Sequence, residues 1–184
     1  MSVRTTGFEV KTLMLVLVIG LVMITLAGCT SASARASSDE PAPFVAATSQ
    51  AAAGEYLTIV GGCNDCHTPG WSESFGQVPS ENRLTGVELG FRGPWGTSYP
   101  ANLRLSVQGK SNPEWITMIR GRRGMPPMPW MNLHLMNQRD LEAIYAYLVS
   151  LGPKGEPAPA YVPPDREPTT PYVVFEPVMP RGKS

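Results

Sequence analysis

The chain contains few cysteines and histidines, and it carries no net charge. Three cysteines and two histidines occur among its 184 residues, and fifteen Lys and Arg residues balance fifteen Asp and Glu residues. A small secreted protein held together by disulfides needs a denser set of cysteines, so each of these three is a candidate for a chemical role. A nucleic-acid-binding domain presents a strongly basic surface, and the neutral composition therefore predicts no nucleic-acid partner.

The N-terminal segment has the pattern of an export signal. Two basic residues and one acidic residue precede an uncharged apolar run over residues 13–26, which is too short to span a bilayer comfortably. The run ends in Leu-Ala-Gly before Cys29. This arrangement resembles the signal of bacterial lipoproteins, and it implies a signal peptide over residues 1–28. An ordinary cleaved signal and an uncleaved helix are the alternatives.

The lipoprotein resemblance also implies a location. Cys29 is then the first residue of the mature chain, and its lipid anchors the protein on the periplasmic side of a bacterial membrane. The next residue is Thr30 and not the Asp that commonly retains such lipoproteins in the inner membrane. This difference favours the outer membrane.

The mature chain divides into three segments by composition. Residues 29–53 are rich in Ala, Ser and Pro and predict a flexible tether. Residues 54–152 are dense in aliphatic and aromatic side chains and predict one small domain. Residues 153–184 hold nine of the nineteen prolines, which excludes a helix or a central strand. The apolar residues Tyr161 and 172–175 favour an arm that docks on the domain over a disordered spacer.

Helix signals occur at three places in the domain. Asn112 before a proline predicts an N-cap and a helix to about Gly121. Asn137, with Asp140 three residues later as a partner in a capping box, opens a helix that stops at Gly152. A third short helix is expected over residues 55–60. No segment shows a convincing strand alternation.

Two of the cysteines form a Cys-x-x-Cys-His motif of Cys63, Cys66 and His67. This is the spacing of c-type haem attachment, in which two thiols bind the haem vinyl groups and the histidine ligates the iron. A thioredoxin-like dithiol, a zinc site and a structural disulfide are the alternatives. A thioredoxin-like dithiol needs a βαβ unit around the motif, which the sequence does not predict. A zinc site needs ligands in paired spacing, which the cysteines and histidines of this chain lack. The motif therefore predicts one covalently attached haem c.

Three stretches together resemble a monohaem class I cytochrome c, over about residues 54–153. They are GEYLTIVGGCNDCHTPG around the motif, MPPMPW at residues 125–130, and DLEAIYAYLVSLGP at residues 140–153. The resemblance implies a small all-α fold that surrounds one haem, with the N- and C-terminal helices crossing next to the haem edge. The signal, the tether and the long irregular proline-rich C-terminal extension lie outside it.

The resemblance also implies the second axial ligand of the iron. In that family a methionine followed by proline precedes the last helix, and Met128 matches at the family's usual distance from the aromatic-Leu pair of that helix. Met125, also followed by proline, is the runner-up, and Met131 and His134 are further alternatives. The prediction is His67 as the proximal and Met128 as the distal ligand of the haem iron.

Several other residues are candidates for supporting roles. The backbone near Pro69 is expected to hold the imidazole N–H. Four residues are candidates for covering the haem or binding its propionates, although core packing explains them as well: Trp95, Tyr99, Asn102 and Trp130. One basic cluster is a candidate for neutralising propionates or steering an acidic partner, with a solvated helix end as the alternative: Arg120, Arg122 and Arg123.

Two axial side chains leave no iron position for a substrate, which predicts an electron-transfer protein and not an enzyme. The expected partners are redox proteins: a dehydrogenase or quinol-oxidising respiratory complex as donor and a downstream terminal acceptor. No small-molecule substrate is expected. A dedicated cytochrome subunit of a larger periplasmic oxidoreductase is the main alternative, and a haem-based sensor or peroxidase-like protein is the other.

Overall fold

The structure of the protein, a computed structural model, describes residues 45–180. The predicted signal peptide, the predicted lipidation site at Cys29 and most of the predicted tether lie outside the described residues. Within residues 45–180, every helix is too short or too polar to cross a membrane.

The described part of the chain contains six α-helices, one 3₁₀ helix and three short strands. In chain order they are α1 (Gln50–Val60), α2 (Cys63–His67), the 3₁₀ helix (Ser80–Asn82), β1 (Gly90–Gly93), β2 (Gly96–Ser98), α3 (Leu103–Ser106), α4 (Asn112–Gly121), α5 (Trp130–Leu135), α6 (Gln138–Leu151) and β3 (Tyr172–Val174).

Helix α1 is longer than the sequence predicted. The side chain of Ser49 caps its N-terminus by accepting a hydrogen bond from the backbone N–H of Ala52 at 3.1 Å. The three alanines that follow Gln50 are strong helix formers, so the helix extends into the segment that was predicted to be a tether. The helix expected over residues 55–60 is its C-terminal half.

The two later helices lie where the sequence placed them, with one difference at a cap. Ser111, not Asn112, is the N-cap of α4, and it forms a capping box with Glu114. Asn137 caps α6 as predicted, but its side chain accepts from the backbone of Arg139. Helix α6 stops at Gly152, whose φ of 67° few other residues adopt without strain.

Helices α1 and α6 cross in close contact. Gly54 lies against the backbone carbonyl of Ala143 and the side chain of Tyr147, and a Cβ at position 54 would overlap both. Only glycine permits this approach of the two backbones. The core beside the crossing is formed by side chains from α4, α6 and the connecting loops: Leu84, Val107, Trp115, Ile116, Ile119, Leu141, Ile144, Tyr147 and Leu148.

The prediction of an all-α class I cytochrome c fold is wrong. Residues 45–180 are 39% helical and 8% strand, and they form a small α/β fold in which six helices accompany a three-stranded mixed sheet. The strand order is β2-β1-β3, with β1 antiparallel to β2 and parallel to β3. The sequence hides these strands because they are three or four residues long, β1 and β2 are rich in glycine, and β3 lies about 80 residues after β1.

The proline-rich extension docks on the domain, as predicted, but it does so mainly through hydrogen bonds, because the apolar residues on which the prediction rested stay 38–56% exposed: Tyr161, Tyr172, Val173, Val174 and Phe175. Strand β3 is an edge strand, which is the position that proline allows. Arg92 in β1 donates hydrogen bonds to the backbone carbonyls of Pro164 and Arg166, and it pairs with Glu167 at 3.3 Å. The ring of Phe175 packs edge-on against Phe91, with the ring centroids 5.6 Å apart. The arm is therefore part of the folded domain.

Candidate functional site

The Cys-x-x-Cys-His motif forms a separate short helix. Gly62 precedes α2 with a φ of 70°, a left-handed conformation that turns the chain sharply after α1. The two cysteines are three residues apart in α2, so both thiols lie on one side of the helix. Both cysteines are free and partly exposed.

The two thiols are held in their protonated form. Burial raises the pKa of Cys63 to about 11, and the nearby carboxylate of Asp65 acts in the same direction. Burial, followed by Asp65, also raises the pKa of Cys66. A catalytic dithiol requires the opposite, a lowered thiol pKa and a positive surround. The thiols are therefore poorly suited to the disulfide exchange that the dithiol alternative required.

His67 is held in a single orientation and tautomer. Its side chain is buried, with 7% of its surface exposed, and burial lowers the pKa of the imidazole, which keeps the ring neutral. Nδ1 donates a hydrogen bond to the backbone carbonyl of Ala101 at 2.7 Å. Nε2 therefore carries the lone pair, which is the state required of a metal ligand. The expected acceptor near Pro69 is wrong, because the carbonyl comes from 34 residues further along the chain.

A buried hydrogen-bond network fixes the motif from both sides. Asn64, between the two cysteines, donates to the carbonyl of Thr58 at 3.2 Å and accepts from the hydroxyl of Thr68 at 2.7 Å. The same hydroxyl accepts the backbone N–H of Leu84 at 2.8 Å. Neither Asn64 nor Thr68 was predicted to hold the motif, although both are polar residues next to motif positions.

One short segment contacts both the motif and the methionine-rich loop. The carbonyl of Ala101 holds His67, and the hydroxyl of Ser98 donates to the carbonyl of Pro126 at 2.5 Å. Three residues of extended chain span at most about 11 Å. The segment over residues 98–101 thus brings the Met-Pro-Pro-Met-Pro loop to the same region as the histidine.

The candidate axial ligands in this loop differ in exposure. Met128 is partly buried, whereas Met125 is 45% and Met131 is 69% exposed. The ring of His134 donates from Nε2 to the carbonyl of Arg122 at 3.0 Å, so only its Nδ1 could act as a ligand. The choice of Met128 as the distal ligand stays a prediction.

The four candidate haem-covering residues divide into two pairs. The hydroxyl of Tyr99 bonds that of Thr170, and the side-chain amide of Asn102 donates to the carbonyls of Lys154 and Glu156, so both residues hold the C-terminal arm. The indole N–H groups of Trp95 and Trp130 are buried and have no hydrogen-bond acceptor within residues 45–180.

Cys63, Cys66 and His67 are therefore the residues able to hold a covalently attached cofactor. Among residues 45–180 there is no cluster of three or more His, Cys, Asp or Glu side chains arranged to hold a metal ion by themselves. Compared with known proteins, the chain matches no family model, no curated protein and no solved structure.

Proposed function

We propose that the protein is a membrane-anchored periplasmic c-type cytochrome that carries single electrons between redox proteins. The observation that carries the proposal is the state of His67: a buried neutral imidazole, oriented through Nδ1, with Nε2 free, next to two partly exposed protonated thiols. This donor set is the one that haem c uses. The proposal rests on the site and not on the overall fold.

The residues of the motif would hold the haem by covalent and coordinate bonds. Cys63 and Cys66 would each add a thiol across a vinyl group, so that sulfur bonds one carbon and the proton goes to the other, with no net oxidation. His67 would bind the iron through Nε2, and the Met128 thioether would supply the second protein ligand. A haem held in this way supplies a reversible one-electron change between ferrous and ferric iron.

The surrounding residues would keep the ligand geometry constant in both oxidation states. The carbonyl of Ala101 prevents rotation of the imidazole, and the Asn64 network holds the helix that carries it. A thioether ligand in a mostly buried site raises the reduction potential. With Met128 as a second protein ligand, an iron held here would have no position for oxygen or peroxide, which favours electron transfer over ligand binding.

The docked arm bears on the alternative of a dedicated enzyme subunit. That alternative uses the proline-rich extension to bind a larger oxidoreductase. In the structure, the arm instead bonds its own domain through Arg92, Tyr99 and Asn102. We therefore favour a carrier tethered through the lipid on Cys29, in the outer membrane, which receives electrons from a dehydrogenase or quinol-oxidising complex and passes them to a terminal acceptor.

The visible spectrum of the purified protein, oxidised and reduced, with and without carbon monoxide, tests this proposal. A low-spin spectrum with methionine-to-iron absorption in the oxidised form, and no response of the reduced form to carbon monoxide, is expected for a closed iron. Binding of carbon monoxide by the wild-type protein would contradict the carrier and favour a sensor or peroxidase-like role. The Met128→Ala variant is the positive control, since it opens the distal position.

A further inference from the structure

Phe75 is a large apolar side chain that the fold leaves in water, in a loop just after the Cys-x-x-Cys-His motif. Its side chain is 92% exposed, and its φ of 51° is a left-handed conformation that is unfavourable for a bulky residue. Leu84 also has a positive φ, of 59°, but it is completely buried, so core packing offsets the strain. Phe75 has no such compensation within residues 45–180.

The conformation of Phe75 comes from the turn that it closes. The backbone N–H of Gly76 donates to the carbonyl of Trp71 at 2.8 Å, and that of Phe75 donates to the carbonyl of Ser72 at 3.2 Å. These are the two hydrogen bonds of a Schellman motif, in which glycine usually occupies the left-handed position. A phenylalanine at this position is therefore unfavourable for the turn and also leaves its ring exposed.

The base of the loop is fixed to the domain. The guanidinium of Arg83 lies 5.3 Å from the centroid of the Trp71 ring, and it pairs with Glu55 in α1 at 2.7 Å. The backbone N–H of Trp71 donates to the carbonyl of Thr68, which follows the motif. The loop thus presents Phe75 in one backbone conformation, and a side chain positioned in this way loses little entropy on binding.

The segment that carries the motif and the loop is acidic. Residues 61–82 contain Asp65, Glu73 and Glu81 and no lysine or arginine. All three carboxylates are exposed, and the ion pairs that form between residues 45 and 180 involve other acidic residues. A surface of this sign attracts cationic partners and repels anionic ones.

We propose that Phe75 and these carboxylates form a docking site for a protein that presents an apolar pocket bordered by lysine and arginine. The ring of Phe75 enters the pocket, and the carboxylates pair with the basic rim. Anionic lipid headgroups, or the same surface of a second copy, would bring like charges together. The turn begins four residues after His67, so the partner is an electron donor or acceptor, a point that rests on the proposed function.

Titration of the purified full-length protein with β-cyclodextrins, whose apolar cavity accepts a phenyl ring, tests the site. The amino-substituted form has a cationic rim, the parent compound a neutral rim and the sulfated form an anionic rim. We expect the affinity to fall in that order, and the affinity of the amino form to fall as salt rises. Haem content is measured on the same sample, so failure of the docking site and failure of the haem assignment are distinguishable.

A pair of variants isolates the ring. Phe75→Ala should lower the affinity for the amino-substituted cyclodextrin by at least about tenfold, because it removes the side chain that the cavity buries. Leu135→Ala is the matched control, since Leu135 is 84% exposed at the end of α5. Its affinity should equal that of the wild type.

Two further comparisons isolate the charge and the strain. Glu73→Gln should weaken binding and reduce its dependence on salt, while Glu176→Gln, on the C-terminal arm, should change neither. Phe75→Gly and Phe75→Ala both remove the ring, but only glycine adopts the left-handed conformation freely. Phe75→Gly should therefore melt about 3 °C above Phe75→Ala, and equal melting temperatures would contradict the strain.

Three results would overturn the docking site. The first is equal affinity of Phe75→Ala and Leu135→Ala for the amino-substituted cyclodextrin. The second is weaker binding of Phe75→Ala than of the wild type to vesicles of phosphatidylethanolamine and phosphatidylglycerol, which would make the bilayer the occupant. The third is binding of the cyclodextrin to a Cys63→Ser/Cys66→Ser chain but not to the haem-loaded protein, which would mean that haem covers Phe75.

Discussion

Replacing Asn64 by alanine should destabilise the domain strongly, although the side chain is small. Asn64 is completely buried between the two cysteines of the motif. Its amide nitrogen donates to the carbonyl of Thr58 in the last turn of α1, and its oxygen accepts from the Thr68 hydroxyl. The last carbonyls of a helix have no partner within the helix, so the Asn64→Ala variant leaves one of them buried and unpaired.

The size of the effect follows from these contacts. Each of the two lost hydrogen bonds contributes about 1 kcal/mol, and a buried unpaired carbonyl costs at least about 1 kcal/mol, so we expect a total loss of at least about 3 kcal/mol. For a domain of about 140 residues the entropy of unfolding at the melting temperature is about 0.3 kcal/mol/K. The melting temperature should therefore fall by at least about 10 °C.

Thermal unfolding followed by circular dichroism measures this change. Asn132→Ala is the matched control, because Asn132 is exposed on α5, and a surface substitution of this kind shifts stability by less than about 0.5 kcal/mol. Thr68→Val removes the partner hydroxyl, and the double variant should lose less stability than the two single variants combined. Equal melting temperatures for Asn64→Ala and Asn132→Ala would refute the buried network.

Four further predictions follow from other contacts. Met128→Ala should abolish the methionine-to-iron absorption of the oxidised protein and Met125→Ala should preserve it; the reverse result would reassign the ligand. Ser98→Ala removes the hydrogen bond to the methionine-rich loop, so on heating the methionine-to-iron absorption should disappear at a lower temperature than in the wild type. An unchanged temperature would contradict the role of Ser98 in holding the loop. In Arg92→Ala, limited proteolysis should cleave the C-terminal arm at least several-fold faster than in the wild type. Equal cleavage rates would mean that other contacts hold the arm. Hydrogen bonds from Ser111, the N-cap of α4, lower the pKa of the Glu114 carboxyl group, so the carboxylate stabilises the fold above pH 4.5 and stops doing so as the pH falls through the lowered pKa. The difference in the free energy of unfolding between the wild type and Glu114→Gln, measured in urea, should therefore shrink in acid. A constant difference would contradict the capping box.

Two of the six helices were predictable because their signals are local. The proline and capping residues near Asn112 and the span from Asn137 to Gly152 specify two helices within one or two residues of the observed ends. The start of α1 was missed, since alanine and serine occur equally in flexible linkers and in helices, and only packing on α6 separates the two.

The sheet was not predictable from the sequence pattern. Strands β1 and β2 contain three glycines and no alternation of apolar and polar residues, and β1 gains its second partner from the C-terminal arm. The pairing of Gly90 with Tyr172 is a long-range contact that local propensity does not contain. The arm was expected to dock through its aromatic residues, and it does dock, but those residues stay 38–44% exposed and hydrogen bonds from Arg92, Tyr99 and Asn102 hold the arm instead.

The motif was visible in the sequence, but the environment of its histidine was not. Cys63, Cys66 and His67 are adjacent in the chain, and their spacing indicates their chemistry. The acceptor that orients His67 is a backbone carbonyl of Ala101, and a backbone carbonyl has no residue type by which it can be recognised. For the same reason the contact of Ser98 with the methionine-rich loop emerges only from the fold.

The mass of the intact mature protein, measured before and after extraction with acidified acetone, tests the central claim most directly. The account predicts a chain that is heavier by one haem and keeps this mass through the extraction, because both thioethers are covalent. In the Cys63→Ser/Cys66→Ser variant the added mass should be absent. A wild-type chain with the mass of the polypeptide and its lipid alone, from cells that attach haem to other cytochromes c, would contradict the account.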